Sequence, residues 1–552
     1  MPTYKPSYFA DGGHPSMITA HIILSVIAWV VILPLGVVFS VAGSRYTLPA
    51  QFLFLLVNAV AVLFAVIYNA STPDLYEHNV HHPIGWAITW IAVAWAVMAI
   101  LNVYTSRAKA THRTSYDCEP VSAANIAQYD RLREQSPYDE VRWSGDSGQG
   151  TERHSSSLLG AHTRSPSIAS ETRPFDLGHS NIRLDDAEDD EPDEPEKRSF
   201  LRNTYVDKML SRNVYRIAAF RKTLKVMSFI YTAVERTILI LGFLALTSGG
   251  VVYGGIFRGK DVFGGLAHFV KGGIFFWYGL VTLGRWMGSF ADLGWAWNVK
   301  PPATLVGPRK AGFVSAEFME SFLIFLYGAS NIFLEHLGGA GGPWRAQDLE
   351  HVSITIMFFG GGLLGMLIES HKVRELLNTS ILVTKDASLP QRFGPDSTDD
   401  QWDAPKQYRF PMNPMPGVIV LLLGIMMSSH HQHSMTSAMV HKQWGMLFVA
   451  GAISRAVTYV TLYISPPTSY LPSRPPSEIV TAFCLIGGGL IFMESTHTII
   501  YALDDNKIEA MFVFTVTMGL SCLIMAWETV VIAIKGWAVR RENWSAFSQA
   551  HA

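Results

Sequence analysis

Long apolar runs, repeated along the chain, constrain its fold more than any other feature. A bilayer core takes roughly 20 helical residues to cross, and lipid cannot satisfy backbone N–H and C=O groups, so such runs fold as helices. They fall at residues 17–41, 50–70, 84–104, 223–247, 262–284, 313–335, 351–370, 416–429, 435–463, 478–500 and 508–534. The expectation is an all-α polytopic membrane helix bundle of about eleven transmembrane helices in a lipid bilayer. Charged residues are only 16% of the 552 residues and hydrophobic ones 49%, against about 25% charged in soluble domains. Run 416–429 is short and fits either a re-entrant segment or a helix continuing into the residues that follow.

Between the third and fourth runs the composition inverts. Residues 105–222 carry SSSLLG, RSPSIAS and the acidic DDAEDDEPDEPEK, too polar to bury a core. A long disordered polar loop is expected, with Ser-Pro sites open to phosphate and room for a cytosolic partner. The expected organisation is residues 1–104, the loop 105–222, a multi-span region 223–541 and a tail 542–552. A formal net charge of -2 gives no basic footprint, so nucleic acid is excluded as a partner. The three cysteines, Cys118, Cys484 and Cys522, form neither a CxxC pair nor a disulfide framework. The N-terminus lacks the charged start and short apolar core of a secretory signal.

Lys and Arg sort to one side of the spans. Arg45, Arg107, Lys109, Arg285, Lys300, Arg309, Lys310, Lys372, Arg374, Arg540 and Arg541 fall on it, whereas the other side holds mainly Lys5, Arg258, Lys260, Arg345, Lys442 and Lys507. Cytosolic loops carry the excess, so the N-terminus is expected exoplasmic and the C-terminus cytosolic, in an endomembrane or the plasma membrane.

That orientation puts most span-proximal histidines on the exoplasmic side. The densest stretch is residues 429–444, SHHQHSMTSAMVHKQW. Imidazole and carboxylate are the usual ligands of zinc, copper and non-haem iron. The candidate ligands of such a divalent transition metal (Cu, Zn or Fe) are His336, His351, His430, His431, His433, His441, Glu494 and His497. Glu494 and His497 are three apart, hence on one face if helical. The alternative is a hydrogen-bonded polar network at the helix ends. A separate set, Glu235, Arg236, Glu317, Glu320, Asn331, Glu369 and Glu528, lies within or at the ends of spans, where charge marks a transport pathway or a partner. A non-catalytic scaffold docking through the acidic loop is a further option. No phosphate-binding loop, HExxH helix or Gly-x-Ser-x-Gly elbow is present, which excludes the enzymes built on them.

HIILSVIAWVVILPLGVVFS, with His21, Trp29, Pro34 and Gly36, resembles the opening helix of the cytochrome b-561-type membrane cytochromes. HHPIGWAITWIAVAWAVMAILN, with His82 and Gly85, resembles their third core helix. The resemblance implies a single haem b between His21 and His82 and a redox-related role. The positions of that family's second haem read Gln51 and a histidine-free fourth run. The chain as a whole is similar to the fungal Ytp-type transmembrane proteins, on SAEFMESFLIFLYGASNIFLEHLGG, DLEHVSITIMFFGGGLLGMLIE, HHQHSMTSAMVHKQWG and FMESTHTIIYAL. That likeness implies a cytochrome-b-like N-terminal module joined through a polar loop to a multi-span C-terminal domain.

Overall fold

The computed structural model describes residues 7–11, 13–116, 221–259, 261–331, 344, 346–381, 383, 410–429, 432 and 434–550. Nearly all of the expected disordered loop lies outside the described residues, as do His336, His430, His431 and His433. The described residues outside 105–196 belong to one compact unit, described below.

Every regular element among the described residues is helical. In chain order the principal helices are α1 (Pro15–Val41), α2 (Thr47–Ser71), α3 (His81–Tyr116), α4 (Arg221–Gly254), α5 (Asp261–Met287), α6 (Ala316–Asn331), α7 (Ala346–Glu369), α8 (Met415–Ser429), α9 (Met435–Ile464), α10 (Ser477–Glu494) and α11 (Ala510–Ala550). Nine are long and apolar enough to cross a membrane. The other two, α6 and α8, have 16 and 15 described residues. Among the described residues each expected segment falls on a helix, except that 478–500 crosses the end of α10 into a separate short helix, and the chain is a multi-pass bundle.

Helices α1 to α4 share a core of Trp29, Leu33, Phe54, Trp95 and Ile238. Trp29 meets the Phe54 edge at 5.0 Å and donates its indole N–H to Asn58 Oδ1 at 2.9 Å. A Cβ on Gly242 of α4 would stand 2.7 Å from Trp29, so α4 closes against α1 only because that position has no side chain. Helix α4, which follows the polar loop in sequence, packs on the three helices of residues 1–104. Within α1, residues Ile27–Ile32 form a π-turn just before Pro34. Proline has no N–H to return to the carbonyl four residues back, which here belongs to Val30. Trp527 of α11 supplies the missing donor, its Nε1 lying 2.8 Å from Val30 O.

The remaining helices pair antiparallel along glycine seams. A Cβ on Gly489 of α10 would stand 2.6 Å from Gly272 O of α5, and one on Gly424 of α8 would stand 2.6 Å from Gly445 O of α9. Lipid gives helices no hydrophobic reason to associate, so close backbone approach supplies the contact. Trp444 of α9 stacks on Phe492 of α10 at 4.2 Å and Phe448 completes the aromatic core. Helix α11 then ties the two bundles together. Beyond Trp527 it stacks Trp537 on Tyr46, and Glu542 accepts from Ser44 Oγ (3.0 Å) and Arg45 N (3.1 Å) in the turn after α1.

Candidate functional site

Where α5, α6, α9 and α10 converge, the bundle buries a chain of ion pairs. Arg285 closes α5, and Glu317 and Glu320 open α6, where the helix macrodipole favours acids. Ser315 positions that end: its Oγ accepts from Phe318 N–H at 3.1 Å and donates to Glu369 Oε2 of α7 at 2.9 Å. Arg455 comes from the interior of α9 and Glu478 from the first turn of α10. Exposure is 2% for Arg285 and Glu317, 8% for Glu320, 4% for Arg455 and 0% for Glu478. None of these groups is left to water.

Arg285 Nη1 donates to Glu320 Oε1 at 2.6 Å, Nη2 to Glu317 Oε1 at 3.2 Å, and Nε to the Trp295 carbonyl at 2.7 Å. Arg455 Nη1 lies 3.4 Å from both Glu320 oxygens, so Glu320 bridges the two guanidiniums. Arg455 Nε stands 2.7 Å from Glu478 Oε1. This last is an ion pair without hydrogen-bond alignment, and both Glu478 oxygens are buried without a hydrogen-bond donor. Trp297, fully buried, lies under both cations, its ring 4.3 Å from Arg285 Cζ and 5.7 Å from Arg455 Cζ. Its φ of 50° is left-handed, an unfavourable setting for a large side chain. Ser473 Oγ, donating to Trp297 O, and Asn298 Nδ2, donating to Tyr470 O at 2.8 Å, hold that loop down. Two guanidiniums thus face three carboxylates, one negative charge in excess. Beside Arg455 lies a cavity of about 20 Å3 lined by Tyr278, Pro416, Val420, Thr481 and Leu485, room for one water.

Of the intramembrane charges expected from sequence, Glu317, Glu320 and Glu369 belong to this site; Glu369 also pairs with Arg374 at 3.6 Å. Glu235 is bonded to Ser40, whose hydroxyl also meets Tyr231, in the N-terminal bundle. Its neighbour Arg236 is exposed. Asn331 donates to Thr355 Oγ1 at 3.1 Å, and Glu528 faces Gly284 of α5. Sequence reasoning missed Arg455 and Glu478 and took Arg285 for a loop charge. The signal was present, since Arg455 is the one cation in the middle of its run, Lys442 lying near the start, and Glu478 begins the next run.

The expected histidine sites are only partly assembled. His82 is exposed and its Nε2 accepts from Trp86 Nε1 at 3.3 Å. The adjacent His81 turns inward instead, Nδ1 3.0 Å from Ser248 Oγ, while His21 Nδ1 bonds the Ala61 carbonyl at 2.9 Å. Consecutive helical residues point about 100° apart, so His81 and His82 cannot both face the core. A haem between His21 and His82 does not fit: one ring faces outward, and the core between α1 and α3 is filled by Trp29, Phe54 and Trp95. Glu494 and His497 do not share a helical face either. Helix α10 ends at Glu494, and a separate helix begins at His497, capped by Thr496 Oγ1 accepting from Ile499 N. Glu494 accepts from Thr517 Oγ1 at 3.0 and 3.1 Å, and His497 is exposed.

His441 is buried, as expected of a member of the cluster, and its partner is one the sequence did not single out. The His441 and His268 rings are 6.4 Å apart, with His351 also near His268. Their Nδ1 atoms lie 2.8 Å from the Ser437 and Gly264 carbonyls respectively. Among the described residues no group of three or more His, Cys, Asp or Glu is gathered closely enough to hold a metal ion.

Residues 241–536 match the family described as Protein YTP1-like, C-terminal, and residues 3–105 match a domain of unknown function, DUF2427. The uncharacterized membrane protein C3B8.06 of Schizosaccharomyces pombe is 34% identical over 531 residues, 95% of this chain and 94% of the relative. The uncharacterized membrane protein YCR061W of Saccharomyces cerevisiae is 30% identical over 583 residues, 98% of this chain and 86% of the relative. Protein YTP1 of the same yeast is 24% identical over 179 residues, 32% of this chain and 30% of its own length. No solved structure matches the chain.

Proposed function

The chain belongs to the YTP1-like family of fungal membrane proteins, and from that premise we propose that it moves a small cation across the bilayer through its C-terminal bundle. The observation carrying this reading is the buried network of Arg285, Glu317, Glu320, Arg455 and Glu478. Ionisable groups inside a membrane bundle are expensive, and structure alone rarely calls for five of them. The excess carboxylate makes the site attractive to positive charge. In the orientation favoured by Lys and Arg, the network lies toward the cytosolic face, with the histidines at the exoplasmic face. Uptake of radioactive rubidium and sodium, and of acid equivalents, into proteoliposomes tests the reading. Flux above that of empty vesicles, lost in R285M/E320M, supports it; equal flux in all three preparations contradicts it.

A second reading, transition-metal binding at the histidine end with a redox-related role, is favoured by one specific observation. The His268 and His441 rings lie edge to face with centres 6.4 Å apart, and each is oriented by a main-chain carbonyl at Nδ1. Metal-binding imidazoles are oriented in the same way.

A further inference from the structure

The network's charge imbalance identifies what it binds. Glu320 is paired with both guanidiniums and Glu478 with Arg455 at 2.7 Å. Among the described residues the one ion pair of Glu317 is the 3.2 Å contact to Arg285, whose shorter bond goes to Glu320, and besides it the carboxyl has a hydrogen bond from its own backbone. Two cations cannot neutralise three carboxylates, and a bare charge at 2% exposure is not sustained away from water. Around Glu317 stand Arg285 from α5, Glu320 on its own helix, Glu369 from α7 and Tyr459 from α9. None of these adds a cation beyond Arg285. Glu369 is itself acidic and already shared between Ser315 and Arg374.

The compensating charge must be small. The cavity beside the network holds about 20 Å3 and has the Arg455 guanidinium in its wall, which repels a metal cation. Among the residues that line it only Tyr278 and Thr481 carry side-chain oxygens, and neither is a carboxylate of the kind a hard cation prefers. The buried Glu478 oxygens, lacking any hydrogen-bond donor, show independently that the network's hydrogen-bonding capacity is unfilled. We propose that the site binds an exchangeable proton, held on the Glu317 carboxyl. Protonation forms an O–H bond on Glu317 with a proton from solvent and leaves two carboxylates facing two guanidiniums. Release restores the carboxylate and its pairing with Arg285. The role of this proton as the transported or coupling ion rests on the transport reading; its presence does not.

Infrared spectroscopy of the detergent-purified full-length protein in H2O and D2O tests this through the C=O stretch of a protonated carboxylic acid. Any band from the other buried acids, Glu235, Glu494 and Glu528, is common to all preparations, so the quantity read is wild type minus variant. The expected result is a deuterium-sensitive band lost in E317Q and titrated away as pH rises, at lower pH in E320Q and E478Q, each of which removes the excess negative charge. Gln mimics the protonated acid in shape, so E317Q keeps the fold; E317D, retaining a shifted band, checks the assignment with a carboxyl in place. A wild-type spectrum identical to that of E317Q overturns the proposal, as does a band lost in E478Q instead. Either outcome leaves cation flux to be judged by itself. Absent flux with an intact Glu317 band would remove the transport reading and not the proton.

Discussion

Trp527 donates its indole N–H to the main-chain carbonyl of Val30 at 2.8 Å. The bond joins the last helix to the first and fills the acceptor that Pro34 leaves without a partner four residues on. Substituting Trp527 by Phe keeps most of the packing and removes the donor, at an expected cost of about 1 kcal/mol. Pro34→Ala restores an N–H within α1, so the W527F cost is expected to shrink in that background. Denaturant unfolding of the four proteins in detergent measures the coupling. Costs that simply add would show that the two residues do not share this carbonyl.

Breaking the ion-pair network from one side strands charge inside the bundle. Arg285→Met leaves Glu317 and Glu320 without their shortest partner and is expected to cost roughly 3 kcal/mol or more. Adding Glu317→Met should recover part of the loss, because the carboxylate whose only ion pair among the described residues is with Arg285 has gone. Thermal unfolding compares the two, and a double variant no more stable than R285M would argue that lost packing, not stranded charge, sets the cost.

The glycine seams predict a sharp positional contrast. A Cβ at Gly272 of α5 would stand 2.6 Å from the Met493 side chain, whereas one at Gly264 of the same helix meets nothing within 4 Å. Gly272→Ala is expected to destabilise by about 1–3 kcal/mol. Gly264→Ala is expected to be neutral or stabilising, since alanine is the better helix former. Equal effects of the two substitutions would mean that the α5–α10 contact is looser than described.

If the histidine end holds a metal, zinc or copper should co-purify with the protein and fall to background in H268A/H441A. His497→Ala should change nothing, since that exposed ring begins a separate helix. Elemental analysis after dialysis decides, and a metal content unaffected by the double substitution would exclude this pair as ligands.

Much of this architecture is legible in the sequence because lipid leaves an apolar run no alternative to a helix. Most of the spans and the glycine-rich seams follow from composition along the chain. The sites follow less well, since they depend on which face a residue takes and on what stands opposite. His81 and His82 are adjacent in sequence, and the one-residue difference decides which ring enters the bundle. Glu494 and His497 look like one helical pair, but the Ser495–Thr496 step ends one helix and caps the next. Glu317, Glu320 and Glu369 stood out as buried acids. Their cations, Arg285 and Arg455, lie 35 and 135 residues from Glu320, a distance no spacing rule spans.

The most direct test of a cation site in the C-terminal bundle is the transient current of proteoliposomes on a solid-supported membrane after jumps in proton, potassium and sodium concentration. The account predicts a current in wild-type protein that is abolished in R285M/E320M and retained in W527F, which lies outside the network. A wild-type current no larger than that of protein-free liposomes for every one of these ions would contradict it.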